Sequence, residues 1–200
     1  MIRYYIVMET KQIYDYVERL GNLLRIDSRR SGVEYGLQPI QLEALHYISI
    51  CNRYSDTPMA VTEYLGQTKG TVSQTLKVLE KKGLLSKHAD SKDKRISHLK
   101  VSNSGETLLQ KSIPSPLFKQ ACEQLDEQSQ ANIATSLKTL LQAIQRSNNM
   151  KSFGVCHTCK HNQKNKDEKN KSDSYFCMLT QEPLSTEDVQ LICREHKHVA

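Results

Sequence analysis

No run of apolar residues in this 200-residue sequence approaches the ~18–20 that a membrane-spanning helix needs. Apolar residues make up only 38% of the chain, and the mean hydropathy is −0.59. A transmembrane protein is therefore excluded, and no membrane partner is expected. The opening Met1–Met8 is a short apolar stretch with no small-residue cleavage site, and Glu9 follows at once, so it does not read as a secretory signal. The expected setting is the cytoplasm, where thiols stay reduced. No Ser–His–Asp set, paired-carboxylate constellation or phosphate-cradling glycine-rich loop is recognisable, and no internal repeat appears. The expectation is a protein that is not an enzyme. The length suits one or two domains.

The 28 Lys and Arg residues outnumber the 22 Asp and Glu by six. Between Lys69 and Lys100 there are nine basic residues and three acidic ones, a local excess that equals that of the whole chain. Such a concentration is an electrostatic footprint for a polyanion, although a solvated basic face would give the same count. The local pattern has to decide.

Ile13, Val17, Leu20 and Leu24 recur at helical spacing and predict a helix over about 8–31 with one buried face. Pro39 opens a second helix to about Arg53, and Thr57-Pro58 starts a short one from Met59 to Leu65 that Gly66 breaks. Another runs from Thr68 or Lys69 to Lys82, closed by Gly83. Leu84–His88 and Ile96–Ser102 suit strands, with the charged turn Ala89–Arg95 between them. Asn103 or Ser104 caps a further helix that Pro114 and Pro116 interrupt, and a last long helix spans about Asp126–Arg146.

This order of elements is that of a winged helix-turn-helix. In the fourth helix Val72, Leu76 and Leu79 share one face and can pack inward. Lys69, Thr71, Ser73, Gln74, Thr75 and Lys77 are left to meet base edges and phosphates in the major groove. Lys92, Lys94 and Arg95 in the charged turn can reach the backbone or minor groove. An amphipathic surface helix followed by a basic hairpin is the plainer alternative.

Three stretches, LQPIQLEALHYI, MAVTEYLGQTKGTVSQTLKVLEKKGLL and ADSKDKRISHLKVSNSGETLL, resemble the multiple antibiotic resistance regulator (MarR) family of transcription factors. The wing resembles the family pattern Asp-x-Arg-Asp-x-Arg as Asp90-Ser-Lys92-Asp93-Lys-Arg95, with lysine in place of the first arginine. Lysine keeps the charge and loses the planar fork. The resemblance covers about residues 1–148, which form the expected winged-helix DNA-binding and dimerisation domain. It implies a mainly α fold with a small β wing and a helical dimerisation region. It further implies a homodimer, and a regulator, usually a repressor, that binds palindromic double-stranded DNA with half-sites about one helical turn apart. In such wings the residue at Asp93 holds the arginines. The family also implies a small-molecule or oxidant effector in a cleft that Tyr47, His46 and Arg53 could line, although core packing suits Tyr47 and His46 better.

The pattern stops near residue 148, and 149–200 is a cysteine-rich tail. Gln163–Ser174 has no apolar residue and is expected to be a disordered loop. Four of the six cysteines lie here, as Cys156-x2-Cys159, x17, Cys177, x15, Cys193. Two thiolates in a C-x2-C pair can point at one ion, and Cys177 and Cys193 complete a tetrahedral set, with His161 or His196 as substitutes. Few apolar residues are available to hold the tail, and a metal crosslink would supply what its core lacks. The metal is zinc, or alternatively an iron–sulfur cluster, which tolerates wide cysteine spacing. The cluster could serve as structure alone, as a metal- or redox-sensing switch, or as a dock for another protein. A thiol oxidoreductase motif at Cys156–Cys159 is a further alternative, lacking the βαβ context such motifs use. Cys51 and Cys122 are expected to be buried core residues.

Overall fold

Proline opens three of the helices, and small polar residues cap most of the others. The computed structural model describes residues 2–91, 93–167 and 172–199. Its first part runs α1 (Ile2–Val33), α2 (Pro39–Ile50), α3 (Pro58–Leu65), α4 (Lys69–Lys81), β1 (Leu85–Ala89), β2 (Ser97–Val101), α5 (Asn103–Ser112), α6 (Pro116–Glu123) and α7 (Glu127–Ser147). Pro39, Pro58 and Pro116 fill first-turn positions, where a missing N–H costs nothing. Thr57, Thr68, Ser102, Ser115 and Asp126 each accept a backbone N–H from the first turn of the helix that follows. Among the described residues no helix is long and apolar enough to cross a membrane.

The core lies between α2, α3, α4 and the β1–β2 hairpin. Leu45, Tyr47, Val61, Val72, Leu76 and Leu79 are its most buried large side chains. β1 and β2 pair antiparallel from Leu85↔Val101 to Ala89↔Ser97, which puts residues 90–96 at the tip of a wing. Two glycines are needed here. Gly66 takes a left-handed φ of 60°, which turns α3 into α4. A Cβ on Gly105 would collide with the Leu84 carbonyl oxygen, so α5 can lie against the chain entering β1 only with glycine there.

The apolar stripe of α1 is exposed in the single chain. Ile13, Val17, Leu20 and Leu24 are 42–50% exposed, and Ile133, Leu137, Leu141 and Ile144 of α7 are 45–55% exposed. The expected buried face of α1 therefore lacks a cover within one chain. Cys122 on α6 is only partly buried, unlike Cys51, which lies in the core. The Ser115 hydroxyl donates to Asp27 and ties α6 to α1.

The tail holds β3 (Gly154–Val155), β4 (Asn162–Asp167), β5 (Ser172–Cys177), β6 (Glu182–Leu184) and β7 (Ile192–Cys193), with single 3-10 turns at Cys156–Thr158 and Asp188–Gln190. β3 pairs with β7, and β4-β5-β6 form an antiparallel sheet. This corrects the expected disordered loop at its two ends: 163–167 and 172–174 are in paired strands, and 168–171 lie outside the described residues. Composition measures what a segment can bury, not what its backbone can pair with. This polar hairpin grows from a register anchored at Asn162↔Cys177 and backed by β6.

The tail is bound to the winged helix rather than hung from it. Phe153 meets Tyr47 and Tyr64 edge-on, at ring centroid distances of 5.9 and 5.2 Å. Asn52 N–H donates to the Ile192 carbonyl at 2.9 Å, and Arg194 N–H donates to Ser55 Oγ at 2.8 Å. The Arg194 guanidinium grips both Glu63 oxygens, at 2.7 and 2.5 Å. Arg53 pairs with Asp188 at 3.3 Å and donates to the Pro183 carbonyl, so it serves this joint instead of lining a cleft.

Candidate functional site

The turn after Gly66 sets α4 across the front of α3. At its start the Thr68 hydroxyl accepts from Thr71 N–H at 3.2 Å. Lys69, Thr71, Ser73, Gln74 and Lys77 are exposed. Thr75 is not. It is 5% exposed, on the inward face with Val72, Leu76 and Leu79, because three- and four-residue steps bring 72, 75, 76 and 79 to one side of the helix. Thr75 is therefore corrected from an outward-facing residue to a core one. Lys69, Ser73 and Leu76 of α4 border a groove of about 360 Å³ together with Thr62 of α3, Lys87 of β1 and Ser97 of β2. The start of the fourth helix and the root of the wing thus open on one channel.

The wing tip is folded by its own acids. Asp90 Oδ1 accepts Asp93 N–H at 2.7 Å, and Asp93 in turn takes the Arg95 guanidinium in a two-point contact at 2.9 and 2.7 Å. Asp93 holds the arginine, as the resemblance implies. The hydrogen bond from Arg95 keeps the Asp93 carboxyl below its ordinary range, and the same bond raises Arg95. Arg95 still presents 90% of its side chain to solvent. Lys94 is exposed, and Lys92 lies outside the described residues. Lys87 is neutralised by Glu80 at 2.8 Å. Among the described residues, Lys69, Lys77 and Lys94 have no acidic partner.

The wing strand is pinned from behind by His98, whose Nδ1 lies 2.6 Å from Asp56 Oδ1 and whose Nε2 lies 3.2 Å from Asp90 Oδ2. The hydrogen bond to Asp56 raises His98 above the ordinary imidazole range. Asp56 is itself raised, by burial, against the pull of His98.

Residues 35–96 match the model of the MarR family. That stretch runs from the entry to α2 through the wing tip. Solved MarR-type structures align over about two thirds of the chain. A MarR transcriptional regulator from Methanosarcina mazei Go1 aligns with a TM-score of 0.59 and 20% identity, over 68% of this chain and 98% of its own. S. aureus MepR in its DNA-binding conformation gives 0.56 and 23% identity, over 66% and 98%. The S. aureus MepR–DNA complex gives 0.53 and 22%, over 65% and 97%. The likeness establishes a mainly helical MarR winged-helix fold with small β-sheets.

Beyond the MarR-matching stretch, Cys156, Cys159, Cys177 and Cys193 all line one cavity of about 30 Å³, with His161, Asn162 and Glu195 beside them. All six cysteines are free thiols. Among the described residues, no group of three or more His, Cys, Asp or Glu side chains is set out ready to hold a metal ion. The donor set nonetheless has the chemistry of a thiolate site. Asn52 Nδ2 donates to Cys156 Sγ at 3.2 Å, and Lys197 N–H donates to Cys159 Sγ at 3.4 Å. The hydrogen bond between Cys156 and Cys193 lowers Cys193 against its burial, helped by Glu195 N–H, the Asn52 amide and the Ser55 hydroxyl, and the same bond together with burial raises Cys156, so the pair shares one proton. N–H donors aimed at sulfur stabilise its deprotonated form, the form that ligates metal.

The two candidate histidines part company. His196 is 4% exposed, with Nδ1 2.6 Å from Ser152 Oγ and Nε2 3.1 Å from Thr158 Oγ1, so hydroxyls occupy both ring nitrogens. His161 Nε2 is buried beside the cysteines with no hydrogen-bond partner among the described residues. Cys156–Thr158 is a 3-10 turn after the two-residue strand β3, not the start of an α-helix in a βαβ unit, which removes the context of a dithiol oxidoreductase. Asn52, Ser55, Glu63 and His98 escaped the sequence reading. The only available signal was polar residues at the α2–α3 junction and on a wing strand, which composition cannot distinguish from solvent-facing ones.

Proposed function

We propose that the chain is a MarR-type transcriptional regulator, a repressor that binds palindromic double-stranded DNA as a homodimer in the cytoplasm. The observation that carries this reading is the groove shared by the start of α4 and the wing root, bordered by Lys69, which has no acidic partner among the described residues, with the unpaired Lys77 and Lys94 on the same helix and wing. On this reading Ser73 and Gln74 read base edges, while Lys69, Thr71 and Lys77 fix the helix on phosphates. Lys92, Lys94 and Arg95 carry the wing to the neighbouring backbone or minor groove. The S. aureus MepR–DNA complex has the same fold, and DNA binding is carried over to this chain as part of the proposal. The uncovered stripes of α1 and α7 are the surfaces assigned to the second copy, since exposed apolar patches of this kind mark association surfaces. A cavity of about 770 Å³, bordered by His46, Tyr64, Leu141, Met150 and Phe153, is the place assigned to a small-molecule effector.

For the tail we infer a four-thiolate site made by Cys156, Cys159, Cys177 and Cys193. Zinc is the assigned ion, because four thiolates suit it with no redox chemistry required. When bound, the ion would supply a crosslink: among the described residues the tail's own buried cluster is small, Cys156, Leu184, Val189 and Cys193, with Tyr54, Tyr175 and Cys177 packed against it. A redox effector would act at the same thiols.

Two measurements test the reading. Selection from random duplex DNA should return a palindrome bound by a dimer, and failure to enrich any sequence would overturn the DNA assignment. Elemental analysis of anaerobically purified protein should give about one zinc per chain. Several irons per chain would replace zinc with a cluster, and no metal would remove the site.

A further inference from the structure

We propose that the cysteine module regulates DNA affinity through the loop from Asn52 to Asp56, so that filling the four-thiolate site tightens operator binding. The proposal rests on the four-thiolate reading above. It adds a route from that site to both DNA-facing elements.

The route is continuous and specific. Asn52 is fully buried, and its amide is divided between two tasks: Oδ1 accepts Tyr54 N–H at 3.2 Å, and Nδ2 donates to Cys156 Sγ at 3.2 Å. Ser55 is also fully buried; its hydroxyl accepts Arg194 N–H, and its carbonyl accepts the Tyr47 hydroxyl at 2.9 Å. The next residue turns to the wing. The Asp56 carbonyl accepts Leu99 N–H of β2 at 2.7 Å, and the Asp56 carboxylate holds His98. One five-residue loop therefore touches the thiols on one side and the wing strand on the other. Arg194, the neighbour of Cys193, makes the second connection through its two-point grip on Glu63 of α3, the helix that braces α4.

Occupancy changes what this loop meets. On binding a divalent ion, four metal–sulfur bonds form, and each cysteine that is still a thiol gives its proton to solvent. Asn52 then donates to a metal-bound thiolate instead of a thiol, and hydrogen bonds to charged acceptors are roughly twice as strong as neutral ones. Without the ion, the module is held by a buried cluster of two cysteines, a leucine and a valine and by its contacts with the winged helix, and small units of that kind are marginal. The two arrangements are thus a crosslinked tail that clamps Asn52, Ser55 and Glu63, and a loosened tail that releases them. Coupling on this proposal comes from metal and DNA both favouring the first of these arrangements.

The test uses full-length protein and DNA obtained by selection, with Zn²⁺ as the probe. Metal content and operator affinity are measured after chelation and after reloading, in the parent, in Asn52→Ala and in Glu63→Gln. The parent should load zinc and gain about tenfold or more in affinity; Glu63→Gln, which touches no cysteine, should load zinc equally and lose most of that gain, and Asn52→Ala should need more zinc to load and still lose the gain at full loading. Glu63→Gln keeps the side chain's shape and is partly exposed, so it carries the test if Asn52→Ala fails to fold. Amide exchange at Leu99 should slow on zinc loading in the parent and not in Asn52→Ala. A parent that loads zinc without a change in affinity would overturn the coupling and leave the thiolate site standing. Variants that keep the full gain would overturn the route. A chain that takes up no zinc would remove the site and this inference together.

Discussion

The Asn52 side-chain amide donates to Cys156 Sγ across 104 residues of sequence, and neither partner is exposed. The tail is thus part of what satisfies the winged helix internally. Removing residues 149–200 should lower stability by about 2–5 kcal/mol, because buried Asn52 and Ser55 lose partners and Tyr64 loses Phe153. Denaturant midpoints of full-length and truncated chains check this. Equal midpoints would show that the joint contributes nothing to stability.

Replacing Lys77, Lys92 and Arg95 together by alanine should weaken operator binding and flatten its salt dependence by about one unit of slope per lost phosphate contact. Anisotropy titrations over a range of salt concentrations read this directly. A triple variant that binds like the parent would remove α4 and the wing from the interface.

Gln74→Ala and Ser73→Ala should relax sequence preference, at about 1–3 kcal/mol per base position read. Thr75→Val should leave preference unchanged, since residue 75 faces the core. A binding-site selection on each variant distinguishes them. A changed preference in Thr75→Val would mean that the helix is rotated from the orientation described.

The His98 bridge should make the wing more secure in mild acid. Its folded-state pKa lies above the ordinary 6.5 because Asp56 and then Asp90 favour the imidazolium. The stabilisation is therefore fully present below the unfolded pKa and is lost as pH rises through the folded one. Asp56, raised by burial, has the same sign. Melting temperature should fall as pH rises above the ordinary imidazole range, and His98→Gln should remove that part of the slope. An unchanged slope in His98→Gln would assign the dependence to other groups.

Leu137→Glu on α7 and Leu20→Glu on α1 should each shift the protein from dimer to monomer in sedimentation equilibrium while helical dichroism is kept. Each places a charge in a stripe that is about half exposed in the single chain. A parent that is monomeric at micromolar concentration would refute the assigned interface.

Element order was legible because helix caps, first-turn prolines and the Gly66 turn are local signals. The inward face of α4 was legible at Val72, Leu76 and Leu79, where spacing alone decides orientation. Thr75 was misassigned because a hydroxyl residue between two apolar rows carries no sign of which way it faces. The stripes of α1 and α7 were correctly seen as apolar, but periodicity cannot say whether the cover comes from the same chain or another. The four cysteines were legible as a set, and the cavity brings them together. What the sequence hid was the joint: Asn52, Ser55 and Glu63 meet residues more than 100 positions away. Neither composition nor periodicity carries that separation. The hairpin at Asn162–Cys177 was hidden for a different reason, since its strands are held by backbone pairing rather than by anything they bury.

The ring cluster of Tyr47, Tyr64 and Phe153 also has an optical consequence. The chain has no tryptophan, so its near-ultraviolet dichroism comes from nine tyrosines and three phenylalanines. Two of those tyrosines are fixed at the seam between tail and winged helix, 4.4 Å apart. Undocking of the tail would free both rings and dim the near-ultraviolet bands, while the helices kept their far-ultraviolet signal. The protein thus carries a label-free gauge of whether its two halves are engaged.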